Sequence, residues 1–248
     1  MWAASFSPAP QTGVDLGLGD GAGAVGPRCH ASMAGVDLAE MRRAYDDLGL
    51  SEEALANDPV TQFDRWLHDV VAVGLPEPNA MVLATVDPDG RPSARHVLLK
   101  GHDAEGFRFF TNLGSRKAEA LATHPVATLV FPWFAMSRQV IVEGPVERLD
   151  DDAADAYFAQ RPRDSQLGAW ASRQSTVVGS REELDAELAA VVTRFPPDAV
   201  VPRPPFWSGF RVVPDRIEFW AGRVGRLHDR LRYRRVDAGT WTVERLSP

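Results

Sequence analysis

The chain has 248 residues, 44% of them hydrophobic and 25% charged, an ordinary globular composition and enough for one large domain. A formal charge of −7 argues against a general nucleic-acid binder, and the only cysteine, Cys29, excludes an internal disulfide and any cysteine-based metal cluster. No apolar run approaches the roughly 20 residues needed to cross a bilayer, so the expectation is a soluble, cytoplasmic protein with neither nucleic acid nor membrane as partner.

Residues 1–35 hold seven of the 20 glycines, and Arg28 is their only Lys or Arg. The segment lacks the positive start and apolar stretch of a secretory signal. It is expected to be disordered, or not to be translated at all, with Met33 or Met41 as the true start. Gly21, Gly23 and Gly26 match a GxGxxG fingerprint, but no strand-like run precedes them and no helical pattern follows. Residues 36–248 are expected to form a single domain.

Helices are predicted over 41–48 and 58–73; in the second, Phe63, Trp66, Leu67 and Val70 recur at helical spacing and Asp58-Pro59 supplies a cap. The period then changes. Residues 80–86 and 92–100 read as strands around the turn Asp87-Pro88-Asp89-Gly90, a hairpin signal. Further strands are expected over 107–111, 126–133 and 139–149, with a short helix over 115–123. Residues 150–160 and 181–195 read as helices; between them 161–164 reads as a loop and 165–172 as a short helix. The end returns to strands over 206–213, 216–220, 227–236 and 240–245. Strands dominate and helices come in blocks, so the fold class is α+β, mainly β: an antiparallel barrel with helices packed outside, rather than alternating βαβ units.

Four segments carry more basic and polar residues than a scaffold needs. In the first, Arg95 and Lys100 bracket an apolar strand; five apart, they face opposite sides of a regular strand. The plainer reading is two solvated edge charges. The second, Thr111-Asn112-Leu113-Gly114-Ser115-Arg116-Lys117, leaves a strand and enters a helix with Ser115 at the cap. Backbone N–H groups, the helix dipole and two cations converge there, which suits a phosphate, and an ordinary capped helix reads equally well. The third, Arg161-Pro162-Arg163-Asp164-Ser165, again offers arginines and a serine at a helix start; its alternative is a surface salt bridge with Asp164. The fourth is Arg226-Leu227-His228-Asp229-Arg230. On a strand, Arg226, His228 and Arg230 share one face and repel one another unless an anion or ring covers them.

Taken in order with Gln174-Ser175 and Phe219-Trp220, these motifs resemble the pyridoxine/pyridoxamine 5'-phosphate oxidases over about residues 41–248. The resemblance implies an FMN-binding split β-barrel homodimer. FMN contacts carried over by motif are Arg95, His96, Val97, Leu98, Leu99, Lys100, Phe110, Thr111, Arg116, Lys117, Gln139, Gln174, Ser175, Trp220 and Arg230. Substrate contacts are Lys100, Tyr157, Arg161, Ser165, Arg226, Leu227 and His228, with Arg42, Arg43, Ala44 and Tyr45 matching the segment that closes over the site. Arg226 and His228 are the residues assigned to the chemistry, and no metal is implied. Phe110 stands where a tyrosine is common, and Ala44 replaces a larger residue.

The implied reaction takes a hydride from the C4' carbon of pyridoxine or pyridoxamine 5'-phosphate to the flavin. Molecular oxygen then reoxidises the flavin and hydrogen peroxide is released, leaving pyridoxal 5'-phosphate. The alternatives are another split-barrel flavin or deazaflavin oxidoreductase, and a non-catalytic flavin or pyridoxal-phosphate carrier.

Overall fold

A computed structural model describes residues 49–248. The expected disorder of 1–35, the predicted helix over 41–48, the start-codon alternatives and the lid residues Arg42, Arg43, Ala44 and Tyr45 lie outside the described residues.

Helix α1 spans Pro59–Ala72. The Asp58 carboxylate accepts the N–H groups of Val60 and Thr61 at 3.0 and 2.9 Å, and Pro59 takes the first helical position, where no donor is needed. Its apolar stripe, Phe63, Trp66 and Val70, is buried in the main core. Strands β1 (Ala80–Val86) and β2 (Pro92–Leu98) form the predicted hairpin. The Asp87 side chain accepts the N–H groups of Asp89 and Arg91, and Gly90 supplies the left-handed residue of the turn.

β2 ends at Leu98, two residues short of the predicted strand. The Leu99 N–H turns away to the Asn79 carbonyl and the Lys100 N–H to that of Arg108. This break admits a three-residue strand, β3 (Gly101–Asp103), too short to leave a periodic signal; it pairs with β4 (Gly106–Asn112). Helix α2 (Arg116–Thr123) and strands β5 (Val126–Trp133) and β6 (Arg138–Arg148) follow as expected. Three helices come next: α3 (Asp151–Ala159), α4 (Arg163–Ala171) and α5 (Arg181–Arg194). α4 begins at Arg163, inside the stretch expected to be loop, because Pro162 starts the helix directly after α3. Strands β7 (Trp207–Val212), β8 (Arg216–Ala221), β9 (Asp229–Asp237) and β10 (Thr240–Arg245) complete the fold.

Among the described residues, ten strands pair antiparallel throughout, in the order β10-β9-β8-β6-β5-β1-β2, with β7 joining β6 to β4 and β3. The 11-residue β6 makes this branching possible: Arg138–Glu143 pair with β8 and Val146–Arg148 with β7. The result is a curled antiparallel half-barrel. Phe63, Phe107, Phe131, Trp133 and Phe219 fill it and are essentially inaccessible; truncating any one to alanine would cost about 3–5 kcal/mol. A smaller cluster of Phe158, Leu167, Phe195, Val201 and Trp207 ties α3, α4 and the end of α5 to β7, with Phe110, Tyr157 and Trp170 packed against it. That cluster forms one wall of the principal cleft.

Candidate active site

A cleft of about 730 Å³ opens where β2 and β4 face α3 and α4. Arg95, His96, Val97, Leu98 and Lys100 line it from β2 and the residues just past it, and Phe110 and Thr111 from β4. Lys117 enters from α2, Tyr157 from α3, Arg161 from the α3–α4 turn, Ser165 from α4, and Gln174 from the chain beyond α4. Arg95 and Lys100 therefore share one cleft, contrary to the opposite-face expectation, because β2 stops before Lys100.

Lys117 is buried, and its Nζ donates to Gln174 Oε1 at 2.6 Å, Thr111 Oγ1 at 3.2 Å and Ser115 Oγ at 3.3 Å. None of these acceptors carries a charge. Burial, and secondarily the nearby Arg95 guanidinium, holds the Lys117 ammonium down at about 8. Arg95 is likewise lowered, by burial and then by Arg116, and among the described residues it donates only to the Leu83 carbonyl and the Thr85 and Ser93 hydroxyls. Of the three cations, Arg116 has a carboxylate partner, Asp87 at 3.2 Å. A buried lysine and a half-buried arginine that repel each other and are satisfied by hydroxyl, amide and carbonyl oxygens form a cradle for an anion. The helix terminus is more occupied than expected: the Ser175 hydroxyl accepts the Arg116 N–H at 3.2 Å, and Ser115 makes no side-chain cap.

Across the cleft, the Arg161 guanidinium lies 4.8 Å from the Trp207 ring centroid, and its Nη1 is buried with no hydrogen-bond partner among the described residues. Burial lowers its pKa and raises that of Tyr157 beside it. Phe110, Tyr157 and Trp207 stack nearly parallel, with centroids 4.0 Å apart for the first pair and 5.3 Å for Phe110 with Trp207. Gly209 faces Phe110 across the β4–β7 ladder, and a Cβ there would lie 2.7 Å from the Phe110 ring. The glycine lets the ring lie flat. Arg163, the other arginine of this segment, points elsewhere: it donates to the carbonyls of Phe195, Pro196 and Ala199 and fastens α4 to the end of α5.

A second cleft, of about 410 Å³, holds Gln139, Trp220, Arg226, His228 and Arg230, together with Glu218. The predicted strand over 227–236 begins only at Asp229, so Arg226 and His228 do not share a strand face with Arg230. A turn brings them together instead, through left-handed Gly225 and Arg226. Nor is Arg230 an uncompensated cation: Glu218 grips it through both carboxylate oxygens at 2.7 and 3.0 Å.

Four predicted residues, Leu99, Arg116, Ser175 and Leu227, fall outside both clefts. Leu99 has its side chain in the core, Leu227 is 73% exposed, and Ser175 lines a smaller cavity beside α5, in a left-handed conformation. Arg116 is held against Asp87 at the edge of the cradle. Trp207, Asn112 and Glu218 were not singled out, although Asn112 sits inside a quoted motif. Asn112 donates to the Ser172 carbonyl and accepts the Gly114 N–H, bracing the entry to α2. Among the described residues, no cluster of histidine, cysteine, aspartate or glutamate could hold a metal ion, and no helix is long and apolar enough to cross a membrane.

Two family profiles match the chain: pyridoxamine 5'-phosphate oxidase over residues 67–195, and the C-terminal dimerisation region of pyridoxine 5'-phosphate oxidase over 207–248. A pyridoxine/pyridoxamine 5'-phosphate oxidase of Salinispora arenicola is 58% identical over 86% of this chain and 97% of its own. One from Thermobifida fusca is 55% identical over 86% and 98%. Among solved structures, PhzG of Burkholderia lata, in complex with tetrahydrophenazine-1-carboxylic acid, superposes with a TM-score of 0.76 at 32% identity, over 83% of this chain and all of that one. A pyridoxamine 5'-phosphate oxidase-related FMN-binding protein of Nostoc punctiforme, at 20% identity and a TM-score of 0.63, shares the fold.

Proposed function

The chain belongs to the pyridoxamine 5'-phosphate oxidase family, and on that premise we propose that it is an FMN-dependent oxidase. Its substrates are pyridoxine and pyridoxamine 5'-phosphate, and its product is pyridoxal 5'-phosphate, formed in the cytoplasm by a homodimer. The observation that carries the substrate class is Arg161 Nη1, a buried donor without a partner in the same cleft as the Lys117 cradle. One cleft with two separate cationic groups suits a cofactor and a substrate that each bear a phosphate.

The residues present fit FMN. Lys117, Arg95 and Arg116 would hold its phosphate, with Thr111, Gln174 and Ser175 orienting them, while Val97, Leu98 and the Phe110 side line the remaining space. His96, Leu99 and Lys100 belong to the same set; Leu99 could contribute only through its backbone. Gln139, Trp220 and Arg230 would complete the FMN site from the second cleft. FMN, when bound, supplies the two-electron acceptor, and molecular oxygen takes those electrons on to hydrogen peroxide.

Arg161, Lys100, Ser165 and Tyr157 would clamp the substrate phosphate. A guanidinium, an ammonium and two hydroxyls match its several acceptor oxygens and fix the ring by one end. Arg226 and His228 would hold the polar groups at the other end of the ring, with Leu227 and, from the N-terminal segment, Arg42, Arg43, Ala44 and Tyr45 closing over it. Oxidation at C4' then takes the alcohol to the aldehyde directly, or the amine to an imine that water converts to the aldehyde and ammonia.

Purified protein should be yellow, release FMN on denaturation, and produce peroxide with either substrate. Tetrahydrophenazine-1-carboxylic acid, the ligand of the Burkholderia lata relative, is the comparison substrate. Turnover of that acid with none of either phosphate ester would overturn the proposal. So would binding both phosphate esters without turnover, the behaviour of a carrier.

A further inference from the structure

Asp229 lies within the basic run Arg226–Arg230 yet points away from the second cleft, and it is buried at 7% exposure. Its carboxylate is a fixed point. One oxygen accepts the Leu50 N–H at 2.9 Å and sits 3.3 Å from Arg223 Nε; the other accepts Arg245 Nη1 at 2.6 Å. The Arg223 guanidinium is confined further by Gly49, where a Cβ would stand 2.4 Å from Nη1. Arg223 opens the turn that carries Arg226 and His228. Its backbone N–H donates to His228 Nδ1 at 3.0 Å, and the imidazole rests against Trp220 with ring centroids 4.7 Å apart.

A backbone N–H can only donate. The Nδ1 that receives it must present a lone pair, so the ring proton resides on Nε2. The turn needs outside support to hold this arrangement, since Arg226 is a non-glycine residue at φ 65° directly after Gly225 at φ 71°. Asp229 and Arg223 provide it from beneath.

We propose that Asp229 and Arg223 are positioning residues: Asp229 anchors the Arg223 side chain, and the Arg223 backbone fixes His228 as the Nε2–H tautomer. His228 then acts on the substrate as a hydrogen-bond donor and not as a proton acceptor. This rests on the assignment of His228 to the substrate made above and adds how the imidazole is set.

Long-range ¹H–¹⁵N correlation on the ¹⁵N-labelled, FMN-loaded protein reads the tautomer without turnover. The His228 signals should show a bare Nδ1 and a protonated Nε2, and Arg223→Ala should mix the tautomers. With pyridoxine 5'-phosphate, Arg223→Ala should lower kcat roughly 10- to 100-fold with KM and flavin content little changed, since sub-ångström misplacement acts on orientation. Arg223→Lys, which keeps a cation for Asp229, should recover part of that loss.

His228→Gln places an amide donor at similar reach and cannot take a proton, so it should exceed His228→Ala in kcat by roughly tenfold, the effect of one neutral hydrogen bond. Asp229→Asn is the weaker probe because its burial endangers folding; Arg223 is partly exposed. A protonated Nδ1 in the wild type would overturn the proposal, as would equal rates for His228→Gln and His228→Ala. Unchanged His228 signals and kcat in Arg223→Ala would overturn it too. If the wild type oxidises neither phosphate ester, the functional reading falls, while the tautomer spectra still decide whether Arg223 sets His228.

Discussion

Lys117 Nζ meets Gln174 Oε1 at 2.6 Å, joining α2 to the chain beyond α4 across 57 positions of sequence. The amide satisfies the ammonium without neutralising it, so a buried positive charge persists that an anion can answer. Lys117→Met keeps most of the volume and removes the charge. It should weaken FMN binding by about 1.5–3 kcal/mol, the worth of a charged hydrogen bond, while making the FMN-free protein more stable. Equilibrium dialysis and thermal melts check the two effects, and a variant that retained FMN would refute the cradle.

The same charge gives a pH signature. Lys117 is held at about 8 against its ordinary 10.5, so between those values the unfolded chain binds a proton that the folded chain has released. Stability of the FMN-free protein therefore gains a contribution that grows as pH rises from about 8 to 10.5. FMN affinity falls as pH rises above about 8, because the cation facing the phosphate is lost. Denaturant titrations at several pH values should show the stability gain in wild type and not in Lys117→Met.

Arg161→Ala removes the guanidinium whose Nη1 has no partner. On the proposed division of the cleft, KM for pyridoxine 5'-phosphate should rise by the equivalent of about 1.5–3 kcal/mol, with flavin content normal. Loss of flavin in this variant would place Arg161 on the cofactor instead. Truncation also strips a cation from the Trp207 face, so melts are needed to separate folding from binding.

Much of this architecture was legible because local pattern and tertiary environment agree. β1 and β5 alternate between buried and partly exposed residues along their length, as a half-buried strand must, and the Asp87–Gly90 turn carries its own hydrogen bonds. The misreadings fall where distant contacts decide. Arg161 and Arg163 are alike in sequence, yet the carbonyls at the end of α5 capture Arg163 and leave Arg161 to the cleft. The strand predicted from 227 fails because the turn before Asp229 is held by Arg223, Trp220 and the C-terminal strand, none of which enters a period-two count. Glu218 was overlooked for the same reason: only the β8–β9 pairing shows that it neutralises Arg230.

Gly209 gives a prediction about shape rather than charge. Gly209→Ala would bring a methyl within 2.6 Å of Leu149 and 2.7 Å of the Phe110 ring. Relieving that overlap should cost about 1–3 kcal/mol of stability and tilt Phe110 out of its stack with Tyr157. A lower melting temperature with weaker FMN binding is expected. An unaltered melt would mean that Leu149 and Phe110 yield freely, and that the flat stack does not depend on the glycine.

Most of the residues assigned to FMN and substrate divide between two clefts that share no lining residue within one chain, and the second, apart from Gln139 and Ile141, is lined by the part of the chain that matches a dimerisation region. If each site is completed by a partner subunit, two inactive variants should complement each other. Lys117→Ala disables the first cleft and Arg226→Ala the second, so a mixed dimer carries one site with both defects and one with neither. Random re-pairing makes about half the dimers mixed, and activity should recover to roughly a quarter of wild type, as two-fold symmetry requires. If one chain supplied both clefts of its own site, every site in the mixture would carry a defect, and refolding the variants together would restore nothing.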